Sequence, residues 1–185
     1  CRACGADRRV TKYDDVGIVR IDGSAVCTML AIDPGGEHVG LAWFVETNET
    51  ATGWTCTLAV EVTPSQLEQL LYDIDRAKRH CPDVLVYVSW QLYPERAQTL
   101  IGSEMETSQL IGVIKHYGNR WTYPGAAITD LVAQPASYQQ TAQGLLRARN
   151  IKSTAKRTRS GPHALSSELQ GWAAIFRMGL ANKES

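Results

Sequence analysis

The chain has 185 residues and a mass of 20.4 kDa, enough for one domain with its own core. Its Lys and Arg total of 19 equals its Asp and Glu total of 19, with 44% hydrophobic and 21% charged residues, a balance that excludes a disordered acidic or basic polymer. No apolar run approaches the about 18 residues of a transmembrane helix, and no basic segment leads into an apolar stretch as in a signal peptide, so no membrane association is expected.

Residues 1–27 are polar and charged and read as an N-terminal arm, with one short strand over 16–21 closed by Asp22 and Gly23. Cys1-x-x-Cys4 has the spacing of half a zinc site. No second pair at matching spacing follows, since Cys27, Cys56 and Cys81 stand apart, so zinc at Cys1 and Cys4 is not expected. The odd and irregular cysteine set is no disulfide framework and points to a reducing compartment.

The main domain is expected over 28–185. Residues 27–32 form a short apolar run, the mark of a buried strand, broken by Asp33-Pro-Gly-Gly36. Strands follow over 39–45 and 54–62 with a turn between them, which predicts an antiparallel meander. A helix capped by Thr63 or Ser65, with Pro64 near its first turn, carries Leu67, Leu70, Leu71 and Ile74 at helical spacing. The Val-rich run 84–88 predicts a central strand covered on both faces. A helix over 104–117, a weaker strand over 126–133 and a helix over 164–180 complete the order βββαβαβα, an α/β domain. The last helix sets Leu165, Leu169, Trp172 and Phe176 on one stripe, with Trp172 in the core. His38, His80 and His116 read as isolated surface residues.

Asp33 carries the sharpest local chemistry. A carboxylate at the end of a buried strand, beside a glycine turn, suits Mg²⁺, a hard ion that prefers oxygen ligands. Pairs of such ions clamp the attacking and leaving oxygens in phosphodiester hydrolysis. Between 144 and 159, the basic residues Arg147, Arg149, Lys152, Lys156, Arg157 and Arg159 occur with no acid among them. They read as a loop able to touch phosphates, binding branched or duplex DNA with salt dependence and little sequence preference. Trp90 and Tyr93 flank a strand end and read as packing residues.

Three blocks in order carry a resemblance. Ala31-Ile-Asp33-Pro-Gly-Gly36 is the first. Ser89-Trp-Gln-Leu-Tyr-Pro94 with Gly102-Ser-Glu-Met-Glu-Thr-Ser-Gln-Leu-Ile-Gly-Val-Ile114 is the second. Gly161-Pro-His163-Ala-Leu-Ser-Ser-Glu-Leu-Gln-Gly-Trp172 is the third. Over residues 28–178 the chain resembles RuvC-like Holliday-junction resolvases, and among them the bacteriophage proteins. The resemblance implies a ribonuclease-H-like mixed five-stranded sheet flanked by helices. It also implies a homodimer, through the helix with Met105, Leu110, Ile111, Val113 and Ile114, and a setting in host cytoplasm or virion.

The family's carboxylates are only partly present. Asp33 matches the first and His163 is kept, but Val88 and Ser166 stand where the resemblance implies acids. Two Mg²⁺ ions about 4 Å apart repel each other unless carboxylates are shared between them. Asp33 and His163 alone are too few ligands for such a pair. Glu37, Glu104, Glu106 and Glu168 are the acids that could come to Asp33's aid. Two residues rotate a helix by about 200°, so Glu168 is expected opposite Ser166 and in solvent. The expectation is a RuvC-like pseudonuclease, needing no cofactor, that binds nucleic acid or serves in a protein assembly. Its alternatives are an active Mg²⁺-dependent resolvase and a structural component of a virus particle.

Overall fold

The computed structural model describes residues 27–77, 81–88, 106–121, 127–131 and 135–177. The N-terminal arm with Cys1 and Cys4, His80, the block 89–94 with Trp90 and Tyr93, Glu104 and Met105 lie outside these residues. Three strands come first, β1 (Thr28–Asp33), β2 (Val39–Glu46) and β3 (Trp54–Val62). They are followed by α1 (Pro64–Ala77), β4 (Val84–Val88), α2 (Glu106–Trp121) and β5 (Ala127–Leu131). The chain then runs through α3 (Pro135–Ala148), α4 (Thr154–Thr158) and α5 (Pro162–Arg177).

The five strands form one mixed sheet in the order β3-β2-β1-β4-β5. β1, β2 and β3 pair antiparallel as the expected meander, while β4 lies parallel between β1 and β5. The Val-rich run 84–88 is thus a central strand. The period of two along each strand divides the core into two layers. Met29 and Ala31 of β1, Ala42 and Phe44 of β2 and Val84 and Val86 of β4 pack with α5 and with Ala142, Leu146 and Ala155. Leu30 and Ile32, Val39 and Leu41, and Leu85 and Tyr87 pack on the other face with α1 and α2. Among the described residues, no helix is long and apolar enough to cross a membrane.

Local chemistry explains the element ends. The Gln66 N–H donates to Thr63 Oγ1 at 3.3 Å and the Thr63 N–H donates to Gln66 Oε1 at 2.9 Å, a reciprocal cap that selects Thr63 over Ser65. Of the α1 stripe, Leu67, Leu71 and Ile74 are buried, but Leu70 is 36% exposed and faces away from the sheet. α2 extends to Trp121, four residues past its expected end, because Gly118 and Trp121 are buried with it. α5 starts at Pro162, two residues before its expected start, with proline at the first helical position, where its missing N–H costs nothing.

The largest difference lies in 135–159. A loop was expected to carry the basic residues, and the structure has α3, a turn and α4 instead. The sequence gives α3 little apolar periodicity, with only Ala142 and Leu146 buried in its described part. Its helix is held by tertiary packing against α5 rather than by a strong apolar stripe.

Two glycines let α5 lie close on the sheet. A Cβ at Gly40 would stand 1.9 Å from the His163 carbonyl oxygen, and one at Gly171 would stand 2.2 Å from the Phe44 ring. α5 therefore touches β2 with backbone at its first turn and grips the Phe44 ring further along. Trp172 is 2% exposed, as expected of a core residue, and meets Phe44 edge-on at 5.2 Å.

Candidate functional site

Strand parity decides which face Asp33 uses. It follows Met29 and Ala31 by two-residue steps, so it lies on the α5 side, at the end of β1. On α5, His163, Ser166 and Gln170 fall at i, i+3 and i+7, one face of the helix. The two patterns bring Asp33, His163 and Ser166 together, with Gln170 between them. Val88 ends β4 one residue beyond the Ile32–Tyr87 pair, level with Asp33 in the neighbouring strand.

Both Asp33 carboxylate oxygens are engaged. His163 Nδ1 lies 3.2 Å from Oδ2, and Gln170 Nε2 donates to Oδ1 at 3.0 Å. A carboxylate only accepts, so Nδ1 is the protonated nitrogen of His163. Gln170 Nε2 also reaches Ser166 Oγ at 3.4 Å, and Gln139 Nε2 of α3 donates to the same hydroxyl at 2.6 Å. Ser166 stands on the Oδ1 side of Asp33 and His163 on the Oδ2 side, so this Asp, His and Ser do not form a nucleophile–base–carboxylate chain. Gln170 is 1% exposed, and its Oε1 is buried with no hydrogen-bond partner.

His163 is fixed from a second side. Its backbone N–H donates to Glu61 Oε1 at 2.6 Å. Glu61 shares the inward parity of Ala59 on β3 and takes one of the free N–H groups at the α5 terminus, where a negative charge is favoured. The His38 and His163 rings lie 6.2 Å apart. His38 is exposed, as expected, but it borders the site rather than standing isolated. His116 is not isolated either, since it packs edge-on against Tyr117 at 5.4 Å.

Glu168 overturns its expectation. It is fully buried at 0% exposure. Its carboxylate accepts from Ser153 Oγ at 2.7 Å, from the Thr154 and Ala155 N–H groups at 2.8 Å each and from Trp172 Nε1 at 3.5 Å. It points away from Ser166 as the helix rotation required, but that side is covered by α4, not by water. Glu168 backs Ser153, the N-cap of α4, by taking the next free N–H groups, and is no ligand beside Asp33. Glu37 is exposed in the loop after Asp33. Glu106 leans on that loop, with Oε2 3.1 Å from where a Cβ on Gly36 would be.

The resemblance seen in the sequence implies divalent metal at Asp33, and among the described residues the donor set does not fit it. Beside Asp33 stand an amide, an imidazole turned to it by Nδ1, and a hydroxyl already accepting two amide N–H groups. Among the described residues no three His, Cys, Asp or Glu side chains are arranged to hold a metal ion.

The basic residues are split between elements. Arg147 ends α3, Lys152 precedes α4, and Lys156 and Arg157 lie on α4; these four are exposed, as is Arg159 at its C-cap. Arg149 is half-buried, with its guanidinium 5.0 Å from the Phe176 ring centre. Thr154 Oγ1 donates to the Cys56 carbonyl at 2.9 Å, while Gly161 abuts Glu61 near the other end of β3. The 154–161 segment thus runs beside the edge strand toward His163 and Asp33.

Sequence reasoning missed Gln170, Gln139 and Glu61. Gln170 was findable, since it lies four residues after Ser166 and seven after His163. Glu61 carried a fainter signal, a carboxylate at an inward strand position. Gln139 had none, because its helix was not expected.

No protein-family model and no curated protein sequence matches this chain. Solved structures do. Thermus thermophilus RuvC in complex with a Holliday junction substrate aligns with a TM-score of 0.52 at 15% identity, over 84% of this chain and 98% of that one. Thermus thermophilus RuvC by itself gives 0.51 at 14% identity over the same shares of both chains. The fowlpox virus resolvase in complex with Holliday junction DNA gives 0.51 at 12% identity, over 82% of this chain and 98% of that one. The fold is RuvC-like, an α/β fold with the mixed five-stranded sheet expected from the sequence.

Proposed function

We propose that this chain is a RuvC-like pseudonuclease that binds branched or duplex DNA and no longer cleaves it. One observation carries the reading: both oxygens of Asp33 hold side-chain N–H donors, from His163 and Gln170, where a cleaving site needs them for cations. Val88 and Ser166 supply no further negative charge, so among the described residues no second carboxylate at these positions offsets the mutual repulsion of two divalent ions. Were cleavage retained, Mg²⁺ would be the cofactor.

DNA is favoured as partner by two facts. Two of the structural neighbours are resolvases solved on Holliday junctions. In this chain Arg147, Lys152, Lys156, Arg157 and Arg159 are exposed, and Arg159 stands two residues before Gly161, which abuts Glu61 beside His163. Phosphate contacts of this kind position a duplex without reading its sequence. The domain over 28–185 would carry this activity, with 1–27 as a separate arm, and a symmetric junction suits a homodimer. A viral origin would put the protein in host cytoplasm or in the virion.

A four-way junction incubated with the full chain and Mg²⁺ or Mn²⁺ tests the reading. Binding that weakens steeply with salt is expected, with no nicking above the level of Asp33→Asn. Symmetric nicking that disappears in Asp33→Asn would establish an active resolvase instead. Absence of junction binding at physiological salt, with the chain recovered in a large particle, would point to a structural component.

A further inference from the structure

The mismatch between fold and donor set has an identifiable agent. A magnesium ion binds carboxylate oxygen at about 2.1 Å, so a cation approaching Asp33 Oδ1 on the side that faces Ser166 must displace the Gln170 amide, which takes that lone pair at 3.0 Å, while the oxygen's other lone pair is left to other partners. That amide is not free to swing. Gln170 is 1% exposed, its Nε2 is shared with Ser166 Oγ, and Ser166 is in turn held by Gln139. Its Oε1 is left buried and unpartnered. Turning the amide over would set Oε1 against the carboxylate, so the side chain keeps its donor on Asp33 and leaves its acceptor unmet.

We infer that the Gln170 amide occupies the place of a cation at Asp33, so that the site is blocked as well as short of carboxylates. The N–H group carries the positive end of a dipole to the oxygen that metal would otherwise neutralise. A second carboxylate at position 166 would then not restore metal binding by itself. Gln170 Nε2, already 3.4 Å from that position, would donate to the new acid as it does to Asp33. Restoration takes two changes, one adding charge and one clearing space.

This rests on the reading that the metal centre is lost, and the two fail separately. Mn²⁺ is titrated into the full chain and its bound fraction followed by electron paramagnetic resonance, with thermal melting as a check of folding. Wild type should show no site that Asp33→Asn removes, and Ser166→Asp alone should bind Mn²⁺ weakly. Ser166→Asp combined with Gln170→Ala should bind at least tenfold more tightly than Ser166→Asp, with loss of that gain on adding Asp33→Asn. Gln170→Ser replaces Gln170→Ala if the alanine variant melts early. The inference is overturned if Ser166→Asp alone binds as tightly as the double variant, or if the folded double variant gains nothing. An Asp33-dependent Mn²⁺ site in wild type overturns it as well, whereas junction cleavage by wild type is the separate result that removes the pseudonuclease reading.

Discussion

Glu168 shows how much one misplaced side chain can say. Its neighbours Ser167, Leu169 and Gln170 are buried as well, Gln170 against Asp33 of the sheet, while α4 covers the side of α5 that carries Glu168. A carboxylate there is tolerable only because four donors meet it, two of them backbone N–H groups at the start of α4. Glu168→Gln would turn an amide N–H toward those donors. Hydrogen bonds to charged groups contribute about 1.5–3 kcal/mol each, so a loss of about 2–3 kcal/mol is expected in urea unfolding. Cys56, close by, responds to the same burial. Its thiol is pushed up to about 12, first by burial and then by the charge of Glu168. A thiol with a raised folded value stabilises the fold below its unfolded value of 9.0, and that stability is lost as pH rises toward about 12. Wild type should therefore lose about 1–2 kcal/mol more than Cys56→Ala between pH 8.5 and about 10.5. Urea midpoints of both proteins at the two pH values check this, and equal losses would contradict it.

At the level of elements, α5 binds the fold together and carries the site. Its fit against β2 depends on having no side chain at Gly40 and Gly171. Gly171→Ala would drive a methyl into the Phe44 ring and cost about 1–3 kcal/mol, the usual range for overpacking. Gly40→Ala meets backbone, not a movable side chain, and should lift the first turn of α5. The expected result is a lower melting temperature and a displaced His163 resonance in NMR, as the ring leaves Asp33; an unchanged resonance would mean that the turn is not held by this contact. Much of this architecture was legible. Apolar runs marked β1 to β4, and Pro64 and Thr63 marked the start of α1. Asp33 was marked by its own place at a strand end beside a glycine turn and His163 and Ser166 by the resemblance, and the geometry brings them together. α3 was hidden because, among its described side chains, only Ala142 and Leu146 are buried, too few to mark an apolar stripe, and Gln139 meets Ser166 through a polar contact. Gln170 was hidden for a related reason, since an amide on a helix reads as surface until the strand that it meets is known.

For the molecule as a whole, a formal charge of zero says little about how it would meet DNA, because the charges are unevenly placed. Six basic residues fall between 147 and 159 without an acid, and Glu168 and Glu61, which meet backbone N–H groups of that segment and of the helix that follows it, are turned inward. The exposed positive charge of that segment is therefore not cancelled by those two acids. If the segment follows a phosphate backbone, each lost contact should flatten the dependence of log affinity on log salt by about 0.9. Lys156→Gln, Arg157→Gln and Arg159→Gln together should weaken junction binding at low salt and reduce the slope by about 2 to 3, with little change in melting temperature, since all three side chains are exposed. Fluorescence anisotropy over a salt series measures both quantities. The loss should be the same for junctions of unrelated sequence, because phosphates carry no base identity. A slope equal to that of wild type would place the DNA on another face and leave these residues as a solvated surface.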